Sequence, residues 1–595
     1  MTTTVSTRRL FRGAALIAVI VSIPMLAALI VLLGGDRWFP CGDMAQAELH
    51  MRGFLSHPPL VGAAGRIVDD SGFQGSHPGP SLWVSMYPVY AIGGRTSASL
   101  MAAVVSVHLS SIFVAVYLGS RRWGRSGATA VGLLCLILLR SSGSDFMVEP
   151  WNVWMALLPF LVMMLLVIDV VTPTADLGER ARVWRWVAAL VVGSHCVQSH
   201  AGYLVIVVAA LVGSGMVLVR HTDHRRTMLI SGAVATLVMW SAPLLDQLRR
   251  SPGNLTILRE HFTSPSEPYI SLSLAVRIIT TQFNVVGPWI TGPAAHVPPN
   301  EFLRWIGFVG MVALVAAAWR RDGGQRRVLL LVNGVTLVAM FSVVRIFGPY
   351  YEYTVRFFWV LVGIDVVVCL RALFADRAVG WRSPASRMGA AVAVALLTLT
   401  TYQAVDGLHL PGATDSRIVS ELAPQLRSTL DREESYLVRM YDPYTLNATG
   451  FGTMLQLARD GYDVGVDLNF AAAALPHRVV AESDVDLILW VVVGEPIERA
   501  RRDPDLTEIA SADPRSPEQQ QVARRLLEQI RAGLVLTGRN DMLASLDRPG
   551  ASLIFAEPPL EPDVADDVRA LIRLGQPVAV FSSRPGVSIA AFDGS

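Results

Sequence analysis

The chain has 595 residues, of which 52% are hydrophobic and only 16% charged, and its mean hydropathy is +0.44. Such apolarity excludes an ordinary soluble protein of this length and points to an integral membrane protein. All 50 basic positions are arginine, which excludes every chemistry that needs an ε-amine: a Walker A loop, a pyridoxal Schiff base, a kinase-type lysine. The net charge of +2 conceals an asymmetry, because up to Tyr402 there are 32 Arg against 19 Asp and Glu, and from Gln403 onward 18 against 29. A basic membrane half (+13) and an acidic tail (−11) are implied. Four scattered cysteines, Cys41, Cys135, Cys196 and Cys369, form neither a disulfide framework nor a zinc signature.

Apolar runs able to cross roughly 30 Å of hydrocarbon fall near 13–34, 97–119, 126–140, 151–171, 185–198, 201–219, 228–246, 302–319, 328–346, 355–373 and 388–402. The run 81–94 carries Pro88 and a glycine pair and reads as an interfacial or half-inserted element. Every second loop is basic: Arg8, Arg9 and Arg12; Arg121, Arg122 and Arg125; Arg180, Arg182 and Arg185; Arg220, Arg225 and Arg226; Arg320, Arg321, Arg326 and Arg327; Arg377 and Arg382. The positive-inside bias makes these loops and the N-terminus cytoplasmic, and the alternation stays in phase only if 81–94 does not cross. The first run is too long for a signal-peptide core and lacks a small-residue cleavage site, so it reads as a retained anchor.

This division predicts a membrane domain over 1–402, with long external loops 35–96 and 247–301, and an extracytoplasmic domain over 403–595. The tail alternates strand-like runs (SYLVRM, VDLILWVVVG, ASLIFA, PVAVFSS) with helical ones (RIVSELAPQLRSTL, EQQQVARRLLEQIRAGL), an α/β or α+β pattern of normal domain size.

Ionisable groups at a bilayer are costly and tend to be functional, and here they gather on the predicted external side. The first loop supplies Asp43, Glu48, His50, His57 and His77; the turn SSGSDFMVEPWN supplies Asp145 and Glu149; CVQSHAGY supplies Gln198, His200 and Tyr203. The second long loop adds Arg249, Arg250, Glu260 and His261, and FGPYYEYTVRFFW adds Tyr351, Glu352, Tyr353 and Arg356. Carboxylates beside histidine and arginine suit a reaction with a carboxylate base and an anionic leaving group. Each has a plainer reading. Asp43 can be a solvated loop acid, His77 a turn histidine, and His200 a residue bonded to backbone. Glu149 can be a helix N-terminal acid. Arg356 enters a span from the external side, against the usual bias, and can pair with Glu352 at i, i+4. Arg249 and Arg250 read as solvated, and the tyrosines as an aromatic belt. Asp484 and Asp486 spell DxD before an apolar strand, a chance match on the stronger reading.

An aspartate early in a long first external loop, followed by SHPPL and GSHPGP and then an apolar stretch, resembles the GT-C superfamily of polytopic glycosyltransferases. Its members include protein O-mannosyltransferases, aminoarabinose transferases and the arabinofuranosyl- and mannosyltransferases of actinobacterial envelopes. The tail phrase LQLARDGYDVGVDLNFAAAALPHRVV also looks like the domain that follows some actinobacterial members, and the arginine-only composition fits a high-GC genome. The resemblance implies inverting transfer of a sugar, arabinofuranose or mannose, from a polyprenyl-phosphate donor to a cell-envelope glycan or glycolipid at the outer face of the plasma membrane. By position Asp43 becomes the base, and His77, His200 and Arg356 bind the donor, with His77 or Arg356 neutralising its phosphate. Glu48, Asp145, Glu149, Gln198, His261, Tyr351 and Glu352 bind the acceptor or support the site. Relatives often carry Asp-Glu at the first motif, whereas Met44 follows Asp43 here. No metal-ligand spacing is readable, and a divalent cation (Mg or Mn) is the only cofactor the resemblance suggests. The alternative from another class is a transporter or flippase of a lipid-linked precursor, which predicts charged or broken helices near the midplane and two repeated halves. No nucleic-acid partner is expected of an acidic tail.

Overall fold

The structure is a computed structural model that describes residues 7–35, 37–68, 74–292, 301–374, 384–406, 410, 412–442, 444, 446–545, 560–589 and 591–592. It divides into two units: one of Met1–Gly35 with Pro59–Leu408, the other of Asp36–Pro58 with His409–Ser595.

In the first unit, nine helical stretches among the described residues are long and apolar enough to cross a membrane. One of them, Ser97–Val148, is a 52-residue run. It starts at a Thr96 capping box closed by Ser99, and breaks at Gly124 (φ 67°) and again at Gly143 (φ 92°), conformations that only glycine adopts without strain. It therefore supplies two of the predicted spans. The remaining predicted span is the Glu179–Ser199 helix, whose first turns hold Glu179, Arg180, Arg182 and Arg185. All eleven apolar runs are thus helical, and the polytopic helical fold follows. The element near 81–94 is a 12-residue helix, Ser81–Ile92, about 18 Å long at 1.5 Å per residue and too short to cross.

The apolar character of each helix sets its place. Every residue from Asn152 to Val171 is buried, as a helix hydrophobic all round requires. The Arg225–Arg249 and Glu301–Arg321 helices instead present Leu229, Leu237, Val238, Phe302 and Val309 outward, a surface made for lipid. Outside the spans, strands β1 (Ala64–Val68) and β2 (Gln74–Ser76) pair antiparallel. Ile67 of β1 packs on Ile257 and Leu258 of the Asn254–Thr263 helix.

The second unit is an α/β domain on a five-stranded sheet. Its strands are β3 (Ser435–Tyr441), β4 (Asp463–Val466), β5 (Leu487–Val493), β6 (Thr507–Ala512) and β7 (Val578–Ser583), in the order β4-β3-β5-β7-β6. The first three are parallel, and β7 runs antiparallel to both β5 and β6. β3, β5 and β7 match the predicted strands, while β4 and β6 are additional; ASLIFA and the basic pair Arg377 and Arg382 lie outside the described residues. The predicted tail helices appear as Ala413–Thr429 and Pro517–Leu536, the latter opened by a Ser516–Gln519 capping box. The Gly42–Arg52 helix of the first long loop belongs to this unit, with Ala45, Ala47, Leu49 and Met51 buried.

Candidate functional site

Within the first unit His77, Gln198, His200, His261 and Tyr351 lie around the β1–β2 hairpin and the segment that follows it. Asn254 clamps this hairpin: its Oδ1 accepts from Ser76 N–H at 2.8 Å, its Nδ2 donates to Ser76 O at 3.0 Å, and its own N–H donates to Asp246 at 2.9 Å. The clamp holds His77, the next residue. Gln198 works similarly, accepting from Ser81 N–H at 3.2 Å and donating to Met239 O at 2.6 Å. A Cβ on Gly79 would fall 2.4 Å from the Gln198 Oε1, so only glycine fits there.

His77 and His200 lie with ring centres 4.9 Å apart. Ala201 N–H donates to His77 Nδ1 at 3.2 Å and Gly202 N–H to His200 Nδ1 at 3.3 Å. Burial, reinforced by His200, holds His77 well below the usual histidine range, and burial lowers His200 to about 4. Both rings are therefore neutral at pH 7. With Nδ1 accepting, each carries its proton on Nε2 and can donate one hydrogen bond there. Neither supplies positive charge, so the charge role that the sequence allowed to His77 or Arg356 is left to Arg356.

Arg356 follows the short Glu352–Val355 turn and opens the Phe357–Phe374 helix. Its guanidinium lies over the rings of Trp154 (4.6 Å) and Trp359 (5.2 Å). Its Nε and Nη1 are buried without a hydrogen-bond partner. Glu352, Tyr350, Tyr203 and Asp145 act on it electrostatically, yet among the described residues no ion pair with Glu352 forms, so the i, i+4 pairing is not made. Trp154 in turn donates its indole N–H to Glu149 at 3.2 Å. Tyr203 links the two parts, its ring centre 6.2 Å from His200 and 5.7 Å from Phe357. Sequence reading missed Trp154 and Trp359; the usable signal was two tryptophans, Trp151 and Trp154, directly after Glu149-Pro150.

His261, Tyr351 and Glu352 lie in this unit too. His261 Nδ1 faces Val68 N–H at 3.5 Å, its ring is 5.0 Å from Phe347, and burial lowers its pKa. Arg66 bonds Tyr351 Oη at 3.1 Å and pairs with Glu267. Asp145 and Glu352 are exposed. Asp43 and Glu48 belong to the second unit. Asp43 is exposed in the first turn of its helix. Glu48 is fully buried and forms a two-pronged ion pair with Arg459, one prong at 3.0 Å. Its carboxylate is thus spent on structure. Asp486 accepts from the N–H and hydroxyl of Ser435, at 2.8 and 2.7 Å, a strand-edge tie that accounts for half of the DxD pattern. Among the described residues no three His, Cys, Asp or Glu side chains converge as metal ligands.

No protein-family model and no curated protein matches the chain. Among solved structures, ArnT from Cupriavidus metallidurans bound to undecaprenyl phosphate matches with a TM-score of 0.51 at 17% identity, over 86% of this chain and 97% of that one. The same protein in the apo state gives 0.50 at 14% identity, over 83% and 95%. At these identities the likeness is one of fold: a polytopic helical membrane part with a C-terminal α/β domain.

Proposed function

We propose that the protein is an inverting, membrane-embedded glycosyltransferase that uses a polyprenyl-phosphate sugar. The carrying observation is Arg356, half-buried, whose Nε and Nη1 are buried without a hydrogen-bond partner and whose guanidinium lies over Trp154 and Trp359. A cation with unpaired buried donors is costly unless an anion completes it, and the planar fork matches a phosphate. His77 and His200, neutral and able to donate at Nε2, suit the uncharged hydroxyls of the sugar or the ester oxygens of the phosphate. The likeness to ArnT, whose structure holds undecaprenyl phosphate, supports a lipid phosphate as the carrier.

In this reading Asp43 accepts the proton of the acceptor hydroxyl as that oxygen attacks the anomeric carbon. The bond from the anomeric carbon to the phosphate oxygen breaks, and the lipid phosphate leaves as an anion stabilised by Arg356, with inversion at carbon. The sugar we assign is arabinofuranose or mannose and the acceptor an envelope glycan or glycolipid, at the outer face of an actinobacterial plasma membrane, with the N-terminus cytoplasmic and the tail outside. Asp145, Glu149 and Glu352 are the carboxylates on hand for acceptor hydroxyls. The test is purified wild type, Asp43→Asn and Arg356→Gln with decaprenyl-phosphate arabinose or mannose and envelope acceptors, following sugar transfer. Transfer by wild type, lost in both variants, is expected; equal transfer by Asp43→Asn, or none by wild type with either donor, overturns the assignment.

A further inference from the structure

In the second unit, a cavity of about 110 Å³ opens where the parallel strands end, lined by Asp415, Ile418, Thr449, Val493, Gln576 and Val578 among others. Open α/β sheets place ligands outside the carboxyl ends of their strands. Here β3 ends at Tyr441 and β5 at Val493, and the Ala413–Thr429 and Ala448–Asp460 helices begin beside them.

Among the lining side chains Gln576 donates its amide N–H to Leu571 O at 3.0 Å, whereas Thr449 and Asp415 have no hydrogen-bond partner among the described residues. Thr449 is 2% exposed, and its Oγ1 is buried without a hydrogen bond. Thr453 Oγ1, one turn on, and Asn447 Oδ1, at the helix start, also lack partners but do not line the cavity. Asp442, by contrast, is occupied, accepting from Tyr444 N–H at 2.8 Å and Asn447 N–H at 3.0 Å. No described residue donates a hydrogen bond to the Asp415 carboxyl, whose pKa is pushed up to about 6 by burial and by Asp442. Buried polar atoms normally find partners, so a lining pair that has none among the described residues calls for a ligand. Its chemistry is set by what the wall offers. Carboxylate, amide oxygen and hydroxyls accept, while the described lining holds no arginine, no histidine and no aromatic ring. An anion or a nucleobase is thereby disfavoured, and a small ligand rich in hydroxyl donors fits.

We propose that this cleft binds one sugar ring of the acceptor glycan by its hydroxyls, with Asp415 and Thr449 as the binding groups. The proposal rests on the glycosyltransferase reading for the identity of the ligand as acceptor, but not for the binding itself. The probes are methyl α-D-mannopyranoside and methyl α-D-arabinofuranoside, added to the full-length protein and followed by saturation-transfer NMR. Wild type binds one of them; Thr449→Val and Asp415→Asn weaken that binding about tenfold, the scale of one lost hydrogen bond to a charged or buried group, and Thr449→Ser keeps it. Thr449→Val removes an unpaired buried hydroxyl at constant shape, so its melting temperature does not fall, which separates binding from folding. In transfer assays it raises the KM for acceptor and leaves kcat unchanged. Binding equal in all variants, none in wild type, or binding that is lost with chelator and regained with Mg²⁺ overturns the cleft. Thr449-dependent binding without any transfer by wild type overturns the transferase reading and leaves the cleft standing. Transfer with Thr449→Val kinetically silent does the reverse.

Discussion

At the scale of single residues, Arg356 is held by forces that do not balance its burial. Cation–π contact with Trp154 and Trp359 is worth about 0.5–2 kcal/mol each, less than the several kcal/mol an ion loses on leaving water. The deficit is what an incoming phosphate relieves. Arg356→Lys keeps the charge but loses the fork, so kcat/KM for the lipid-phosphate donor should fall roughly 10- to 100-fold, or about 1.4–2.7 kcal/mol; an unchanged value would mean that the side chain only packs. His77 and His200 make a second prediction at this scale. Their folded pKa lies below the unfolded value of about 6.5, about 4 for His200. Between those limits the unfolded chain binds more protons, so stability is intact above pH 6.5 and is lost as pH falls toward 4. A thermal melt at pH 7 and at pH 5 should show this loss in wild type and a smaller one in His200→Gln. The arginine was legible as a charge on the wrong side of the positive-inside pattern. Its tryptophan bracket was not, because Trp154 and Trp359 are some 200 residues apart and only tertiary packing joins them.

At the scale of elements, legibility follows how local the signal is. The spans are written in continuous apolar runs, and all appear as helices. The runs at 97–119 and 126–140 are parted at Gly124, whose φ of 67° is non-helical. β4 (DVGV) and β6 (TEIASA) escaped notice because four to six residues with small and polar members carry little period-two contrast. The loop segment that carries His77 depends on clamps of another kind, Gln198 and Asn254. Gly79→Ala drives a methyl into the Gln198 amide and should displace it from Ser81 and Met239. Overpacking of this sort costs about 1–3 kcal/mol, so Gly79→Ala should lower both the melting temperature and donor affinity without touching the donor. Gly94→Ala, where nothing lies near the added methyl but φ is +84°, should cost stability alone. Asp365, the carboxyl that a transporter reading would single out, sits halfway along the Phe357–Phe374 helix and accepts from Asn333 Nδ2 at 3.1 Å. That contact ties two helices together.

At the scale of the whole molecule, the charge split between the two parts of the sequence meets a chain path that composition does not reveal. The acidic tail does not form its unit alone, since Asp36–Pro58, from the loop after the first span, is part of it. The binding is specific: Phe39 N–H donates to Ser416 Oγ at 2.9 Å, Leu49 and Met51 are fully buried, and Glu48 neutralises Arg459. The sequence of this segment, GDMAQAELHMR, has no clear apolar face, so its partner could not be read from it. A fragment of 409–595 leaves Arg459 without its buried counter-ion, and breaking such a pair costs about 3–5 kcal/mol, a large part of a domain's stability. The fragment alone should therefore melt well below the same fragment joined by a flexible linker to residues 36–58, and Glu48→Gln in the joined form should return most of the loss. Equal melting of the two forms would reduce the segment to a surface strand of the loop.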